Sequence, residues 1–278
     1  MPTILDTLVA DARRLAAERE AVTPLAALRQ RSSFTAPTLA LRRALRRPDG
    51  LAFIAECKRA SPSEGPIRTE YRPAEHARAY KTAAAAAISV LTEPLHFGGA
   101  LQHLADVRAA VDLPILRKDF VVTPYQVAEA RAFGADAVLL IAAALDPLAL
   151  ADLVQMARDL GLGVLLEVHS EAEVDAATRA LALDAVDAVG VNHRDLRTFT
   201  VDLGLSARVF PHLPPDVVRV AESGVSTGAD AARLRRAGAD AVLVGTSLMR
   251  QPDPGRALAA LRRETAIALA SDAVRVDG

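Results

Sequence analysis

The sequence predicts an α/β protein, a (β/α)8 TIM barrel with an N-terminal helical extension. Short Val/Ile/Leu-rich runs alternate with longer Ala/Leu/Arg segments of helical period, an Asp-Ala-Val junction recurs along the chain, and the apolar runs end in polar residues. A single domain is expected overall, with residues 1–50 as the extension and residues 51–278 as the barrel.

In the extension, Ile4, Leu5, Leu8, Val9, Ala12, Leu15 and Ala16 share one face of a helix, and a connection containing Pro and Ser follows. The helix either covers apolar barrel surface or serves as a lid. From residue 51 onward the strand-like runs are LAFIAECK (51–58), AISVLT (87–92), PILRKD (114–119), DAVLLIA (136–142), GVLLEVH (163–169), DAVGVN (187–192), VVRVAES (217–223) and DAVLVG (240–245). Most are apolar throughout, as strands buried on both faces should be. FGADAVLLI (133–141), LDAVDAVGV (183–191) and AGADAVLVG (237–245) repeat one junction where a helix ends and a strand begins. Gly134 and Gly238 there provide the left-handed residue that often follows a helix C-terminus. Eight such units in about 230 residues match the size of a closed barrel. An open dinucleotide-binding sheet would need a Gly-rich turn after its first strand, and none is found.

Composition narrows the function classes. The chain has 278 residues, 51% hydrophobic and 24% charged, with a formal net charge of −1, which describes a soluble globular protein. No basic patch favours nucleic acid or an anionic membrane. Asp6, Asp11, Arg13 and Arg14 interrupt the apolar residues of the N-terminus, unlike a signal peptide. Apolar runs such as AAAAAISVL fall short of the roughly 18 to 20 residues that a membrane helix needs. A single cysteine, Cys57, rules out an internal disulfide and fits a cytoplasmic location. The expected partner is a small molecule, and a monomer or weak homo-oligomer is expected.

A barrel of this type carries its active site at the C-terminal ends of the strands, above an apolar interior. Functional residues should therefore interrupt apolar runs at their ends. Strand 1 ends in Glu56 and Lys58, two apart and pointing the same way, with Cys57 pointing oppositely. Strand 3 delivers Lys118, with Arg117 and Asp119 facing the surrounding helices; strands 5, 6 and 7 deliver Glu167, Asn192 and Glu222 with Ser223. A lone charged strand end is usually a solvated loop residue, but these ends converge on one mouth. Only Lys58, Lys81 and Lys118 among the 33 basic residues are lysine. Arginine stays protonated, whereas a lysine pKa can fall on desolvation or beside a second cation, so Lys58 and Lys118 are the candidate acids or bases. The loops ESGVST and VGTSLM after strands 7 and 8 have the glycines and hydroxyls of a barrel phosphate site. Backbone N–H groups near Gly224, Gly245 and Thr246, with the hydroxyls of Ser61 and Ser223, could hold a phosphate dianion.

The ordered set IAECKRASPSEG, SVLTEPLHFGG, PILRKDF, LLEVH, VGVNHRDL, AESGV and VGTSLMR resembles the indole-3-glycerol-phosphate synthase family of tryptophan biosynthesis from about residue 51 to 250. The resemblance implies a carboxy-lyase that converts 1-(2-carboxyphenylamino)-1-deoxyribulose 5-phosphate into indole-3-glycerol phosphate, carbon dioxide and water. It implies no metal and no organic cofactor. It makes Lys118 the general acid at the ribulose carbonyl and Glu167 its carboxylate partner, a stabiliser of positive charge or the base of the dehydration. Glu56 and Lys58 would orient Lys118 and the substrate, with Lys58 a second acid candidate. Asn192 and Glu222 would position the substrate, Arg194 would sit near the departing carboxylate, and Phe97 and Phe120 would pack on the aromatic ring. Ser61, Ser223, Gly224, Gly245 and Thr246 match the phosphate positions.

Two residues depart from the family pattern. Glu64 stands where a lysine is usual, in a loop expected to be mobile, and His193 stands where a second asparagine is usual, pointing away from Asn192. Rival readings are a Schiff-base aldolase using Lys118 or Lys58, a metal-dependent hydrolase using His169, His193 and Glu167, and a noncatalytic phosphosugar-binding protein. The hydrolase would want paired histidines in strand 1, where AECK stands; the binding protein would not need the converging polar strand ends.

Overall fold

The computed structural model describes residues 3–276 apart from 48–49, 181–182 and 196–197, so the outermost residues of the expected extension and barrel, 1–2 and 277–278, lie outside the described residues. Among the described residues, eight parallel strands close into a barrel: β1 (Ala52–Cys57), β2 (Ala87–Leu91), β3 (Ile115–Lys118), β4 (Ala137–Ile141), β5 (Gly163–Val168), β6 (Ala188–Asn192), β7 (Val218–Glu222) and β8 (Ala241–Val244). Strands adjacent in the chain are adjacent in the sheet, and β8 closes on β1 with Ala52 opposite Ala241. Each strand lies within a run expected from the sequence. A tiny antiparallel pair, Ala60–Ser61 with Gly65–Pro66, decorates the loop after β1.

Among the described residues, three α-helices precede the barrel: α1 (Ile4–Val22), α2 (Leu25–Leu28) and α3 (Leu41–Leu45). The others are α4 (Pro73–Thr82), α5 (Gln102–Arg108), α6 (Pro124–Ala132), α7 (Pro147–Asp159), α8 (Glu171–Ala180), α9 (Leu205–Val209), α10 (Gly228–Arg236), α11 (Thr246–Met249) and α12 (Pro254–Val276). Proline opens α4, α6, α7 and α12, where its missing N–H costs nothing. Thr123 with Gln126 and Thr227 with Asp230 form reciprocal caps on α6 and α10. Gly134 and Gly238 take φ of +85° and +103° just past α6 and α10, as their place in the repeat predicts.

Strand alternation sorts the side chains. Ile54, Leu116, Leu139, Leu165, Val220 and Leu243 fill the barrel interior, while Phe53, Ile115, Val138, Val164, Val189 and Val242 pack outward against the helices. Two residues further along the inward rows come Glu56, Lys118, Glu167, Glu222 and Gly245, and Asn192 shares the row of Ala188. The polar mouth is thus a continuation of the apolar core.

The three aspartates of the repeated junction have a common task at the opposite end. Asp136, just before β4, accepts the Ile115 N–H of β3 at 2.8 Å. Asp187, before β6, accepts the Val164 N–H of β5 at 3.0 Å, and Asp240, before β8, accepts the Arg219 N–H of β7 at 2.9 Å. Each carboxylate satisfies an amide at the start of the preceding strand.

The extension runs from mouth to base. Every residue expected on the apolar face of α1 is buried or half-buried, with Leu8, Ala12 and Ala16 the deepest. Arg19 grips Glu129 of α6 through Nε at 2.6 Å and Nη2 at 2.9 Å. Leu28 of α2 packs with Tyr125, Ala128 and Ala132 of α6. Leu41 and Leu45 of α3 join the interior cluster, and Leu39 N–H bonds Asp136 at 2.7 Å, so α3 plugs the base of the barrel.

Candidate active site

Every residue expected at the site lines one cavity of about 290 Å3 at the C-terminal mouth. At its centre, Lys118 Nζ lies 3.2 Å from Glu167 Oε2 and 3.5 Å from Glu222 Oε2. Asn192 Nδ2 donates to Glu167 Oε1 at 3.1 Å, and the Arg194 N–H donates to Asn192 Oδ1 at 3.1 Å. On the β1 side, Lys58 Nζ pairs with Glu56 Oε1 at 3.1 Å while Ser89 Oγ donates to Glu56 Oε2 at 3.1 Å. Phe97 and Phe120 face each other at 6.3 Å between ring centroids, forming an aromatic wall. Ile4 and Leu8 of α1 also line the cavity. Arg117, fully buried, points the other way to Asp119 at 2.8 Å and to the Gln126 carbonyl at 2.6 Å.

The charges of this cluster are set by burial and by one another. Burial acts to discharge Lys118, but the carboxylates of Glu167, Glu222 and Glu56 outweigh it and raise its pKa above the usual lysine value. This reverses the expectation that the lysine pKa falls: carboxylates, not a second cation, dominate around Nζ, so Lys118 holds its proton. Burial opposes ionisation of Glu167 as well, yet Lys118, His169 and Asn192 keep its pKa below the usual value. Glu222 goes the opposite way. Burial and the neighbouring Glu167 and Glu56 charges overcome Lys118 and push it up to about 8. Two carboxylates beside one ammonium have therefore been driven apart in proton affinity, the arrangement that separates an anion from a proton carrier.

The expected phosphate elements lie together on the other wall. Ser223 and Gly224 are consecutive left-handed residues with φ of +67° and +84°, and Gly245 precedes α11, whose first N–H groups have no acceptor within the helix. Ser61 is buried and within 3.5 Å of the Ser63 hydroxyl. The loop carrying Glu64 is tied down: Glu64 forms an ion pair with Arg250, and Arg68 donates to the carbonyls of Met249, Gln251 and Pro252 at 3.0, 2.7 and 2.9 Å. His193 does point away from the mouth, its Nδ1–H donating to the Ser223 carbonyl at 2.9 Å and its Nε2 accepting from the Ser206 hydroxyl at 2.7 Å. Burial lowers its pKa, which suits that neutral form. Its ring is committed elsewhere, so it does not join His169 and Glu167 as the hydrolase reading requires.

Some supporting residues escaped the sequence. A Cβ on Gly190 would lie 2.0 Å from Glu222 Oε1, and one on Gly245 would lie 2.4 Å from Glu56 Oε1. These glycines leave space for carboxylates of the next strand, a relation across the sheet that no local pattern encodes. Ser89 sits inside the apolar run of β2 and His169 one residue past β5; the Ser89 hydrogen bond to Glu56 and the place of His169 3.4 Å from Glu167 depend on the same barrel registry.

A closed parallel barrel whose mouth gathers a protonated lysine and buried carboxylates, beside the glycine- and serine-containing loops after β7 and β8, has the layout of a barrel enzyme. The profile of the family described as Indole-3-glycerol phosphate synthase matches residues 5–261, and the chain belongs to that family, decarboxylating lyases of tryptophan biosynthesis. It is 51% identical over 264 residues to the indole-3-glycerol phosphate synthase of Salinibacter ruber, covering 94% of this chain and 96% of that one. It is also 51% identical over 261 residues to indole-3-glycerol phosphate synthase 2 of Streptomyces coelicolor, covering 94% and 99%. The barrel is further similar to thiamine phosphate pyrophosphorylase from Pyrococcus furiosus, at TM-score 0.58 and 18% identity over 82% of this chain and 99% of that one. Orotidine 5'-phosphate decarboxylase from Pyrococcus horikoshii gives TM-score 0.58 at 14% identity over 77% and 99%. Both structural likenesses concern the fold alone.

Proposed function

We propose that the protein closes the pyrrole ring of 1-(2-carboxyphenylamino)-1-deoxyribulose 5-phosphate with Lys118 as general acid and Glu167 as base, without metal or organic cofactor. The observation that carries this is the Lys118 ammonium held 3.2 Å from Glu167 and 3.5 Å from Glu222. The aromatic carbon bearing the carboxylate attacks the ketone carbon, and Lys118 gives its proton to the ketone oxygen as the C–O π bond breaks. Positive charge then develops on the anilino nitrogen, where Glu167 and Glu56 stabilise it across a site shielded from water. Carbon dioxide leaves, and the electron pair of the broken C–C bond restores the aromatic ring. In the last step Glu167 takes a carbon-bound proton while Lys58 protonates the departing hydroxyl, giving water and the indole; Glu167 then returns its proton to Lys118, 3.2 Å away, which lost one at ring closure, and Lys58 regains its own from solvent.

The remaining residues bind. Ser61, Ser223, Gly224, Gly245 and Thr246 hold the phosphate, Arg194 and Lys58 sit near the departing carboxylate, Asn192 and Glu222 orient the ribulose hydroxyls, and Phe97 and Phe120 stack on the anthranilate ring. No described helix is long and apolar enough to cross a membrane; we place the enzyme in the cytoplasm as a monomer or weak homo-oligomer. Adding the carboxyphenylamino-deoxyribulose phosphate and following indole fluorescence tests the assignment. Substituting Lys118→Ala should lower kcat by about 100-fold or more, the scale of a lost general acid, with the fold retained by circular dichroism. Full activity in that variant would sink the proposed role. A Schiff-base route would need Lys118 as a free amine, which its carboxylate neighbours oppose; borohydride added with substrate should leave no covalent adduct.

A further inference from the structure

Among the described residues, four cationic side chains line the mouth cavity: Lys58, Lys118, Arg194 and Arg250. Three of them are engaged within the mouth. Lys118 is held between Glu167 and Glu222, Lys58 pairs with Glu56, and Arg194 donates from Nη1 to the Phe199 carbonyl at 3.1 Å. Arg250 stands on the wall of the expected phosphate elements. It follows the last residue of α11 in helical conformation, four residues after Thr246, so the two share a face. Side chains on a helix lean toward its N-terminus, which carries the guanidinium back toward Gly245 and Thr246. Its Nη2 is ion-paired with Glu64, which lines the same cavity.

We propose that Arg250 is the cation that receives the substrate phosphate, and that Glu64 is its partner in the empty enzyme, holding the guanidinium until the dianion displaces it. This rests on the loops after β7 and β8 holding a phosphate. The groups assigned to that phosphate are backbone N–H groups and hydroxyls, all uncharged, so they leave a dianion without a countercharge. A guanidinium offers two parallel N–H groups to phosphate or carboxylate oxygens, and such charge-assisted hydrogen bonds are about twice as strong as neutral ones. Glu64 and a phosphate are therefore rivals for the same group.

The pair is built to exchange. The Arg250 side chain is 59% exposed and that of Glu64 20%, and an ion pair this accessible to water is held weakly. Parting it does not free the loop after β1, because Arg68 of that loop donates to the carbonyls of Met249, Gln251 and Pro252 without help from Glu64. Glu64 left beside a bound phosphate faces it as a like charge. It thus opposes binding twice, by occupying Arg250 beforehand and by repelling the dianion afterwards, and it hastens the departure of a phosphorylated product.

Titration of the substrate-free enzyme with inorganic phosphate, followed by calorimetry, reads this site apart from catalysis. Arg250→Gln should weaken phosphate binding about 10-fold, the scale of a lost hydrogen bond between charged groups, and raise KM more than it alters kcat. Glu64→Gln, which keeps the shape and removes the charge, should do the reverse: phosphate binds about 3-fold more tightly, the scale of an exposed ion pair, and KM falls. Opposite signs are the signature of exchange. If the pair merely fastens the loop, both variants weaken phosphate alike, and that result would overturn the proposal. Unchanged phosphate affinity in Arg250→Gln would also overturn it while leaving the phosphate assignment standing. A parent enzyme that binds no phosphate would remove that assignment, and the role of Arg250 with it.

Discussion

Lys118 shows what a strand end can and cannot convey. Its inward direction follows from counting alternate residues in LPILRKDF, and the structure places it there. Its protonation state could not be counted. That depends on Glu167, Glu222 and Glu56 from three other strands, whose summed field opposes the desolvation that would have lowered its pKa. Glu222 carries the complementary signal. Its carboxyl, pushed up to about 8, binds a proton more tightly folded than unfolded. The resulting stability is complete below the ordinary carboxylate pKa and is lost as pH rises through about 8. Glu222→Gln cannot ionise and escapes that loss. Its Tm relative to the parent should rise progressively from about pH 5 to pH 8, measurable by thermal melts across that range; a constant difference would contradict the shift. Gly190 is a second residue-scale case. Gly190→Ala should displace the Glu222 carboxylate, whose oxygen lies 2.0 Å from the added carbon, and lower kcat with only a small loss of Tm.

At the scale of elements, the first helix covers the barrel with its apolar face and reaches the cavity with Ile4 and Leu8. Alternation and helical period exposed the apolar face of α1, but LRRAL is too short for periodicity to reveal α3, so its place under the barrel stayed invisible. The two pieces predict different phenotypes. Leu8 lines the cavity beside Phe97 and Phe120, whereas Leu41 is 1% exposed at the base. Leu8→Ala should raise KM more than it lowers stability. Leu41→Ala should cost about 2 to 5 kcal/mol of stability and leave KM unchanged, as read from urea denaturation and steady-state kinetics. Deleting residues 1–45 would remove both pieces together, so a raised KM in that deletion would not by itself make α1 a lid. Through Arg19, Glu129, Arg117 and Asp119, α1 is also linked by ion pairs to the strand that carries Lys118.

The whole molecule divides its labour between two ends: a charged mouth for chemistry and a base of plug and aspartate bonds for stability. The barrel itself was legible because its rule repeats eight times, and the mouth because one parity holds in every strand. The purpose of the Asp-Ala-Val repeat was not, since the amide each aspartate accepts lies 21 or 23 residues away. Asp187→Ala should cost about 1 to 3 kcal/mol, the penalty of an unsatisfied buried group, with kcat/KM unaltered. These bonds join β3 to β4, β5 to β6, and β7 to β8, but not across the boundaries between pairs. They mark out quarter-barrels whose closing loops are short, and short loops lose little entropy on closing. Folding should therefore proceed by hairpin-sized βαβ modules that dock in a later step, with Asp136, Asp187 and Asp240 giving high φ-values and the β1–β8 seam giving low ones.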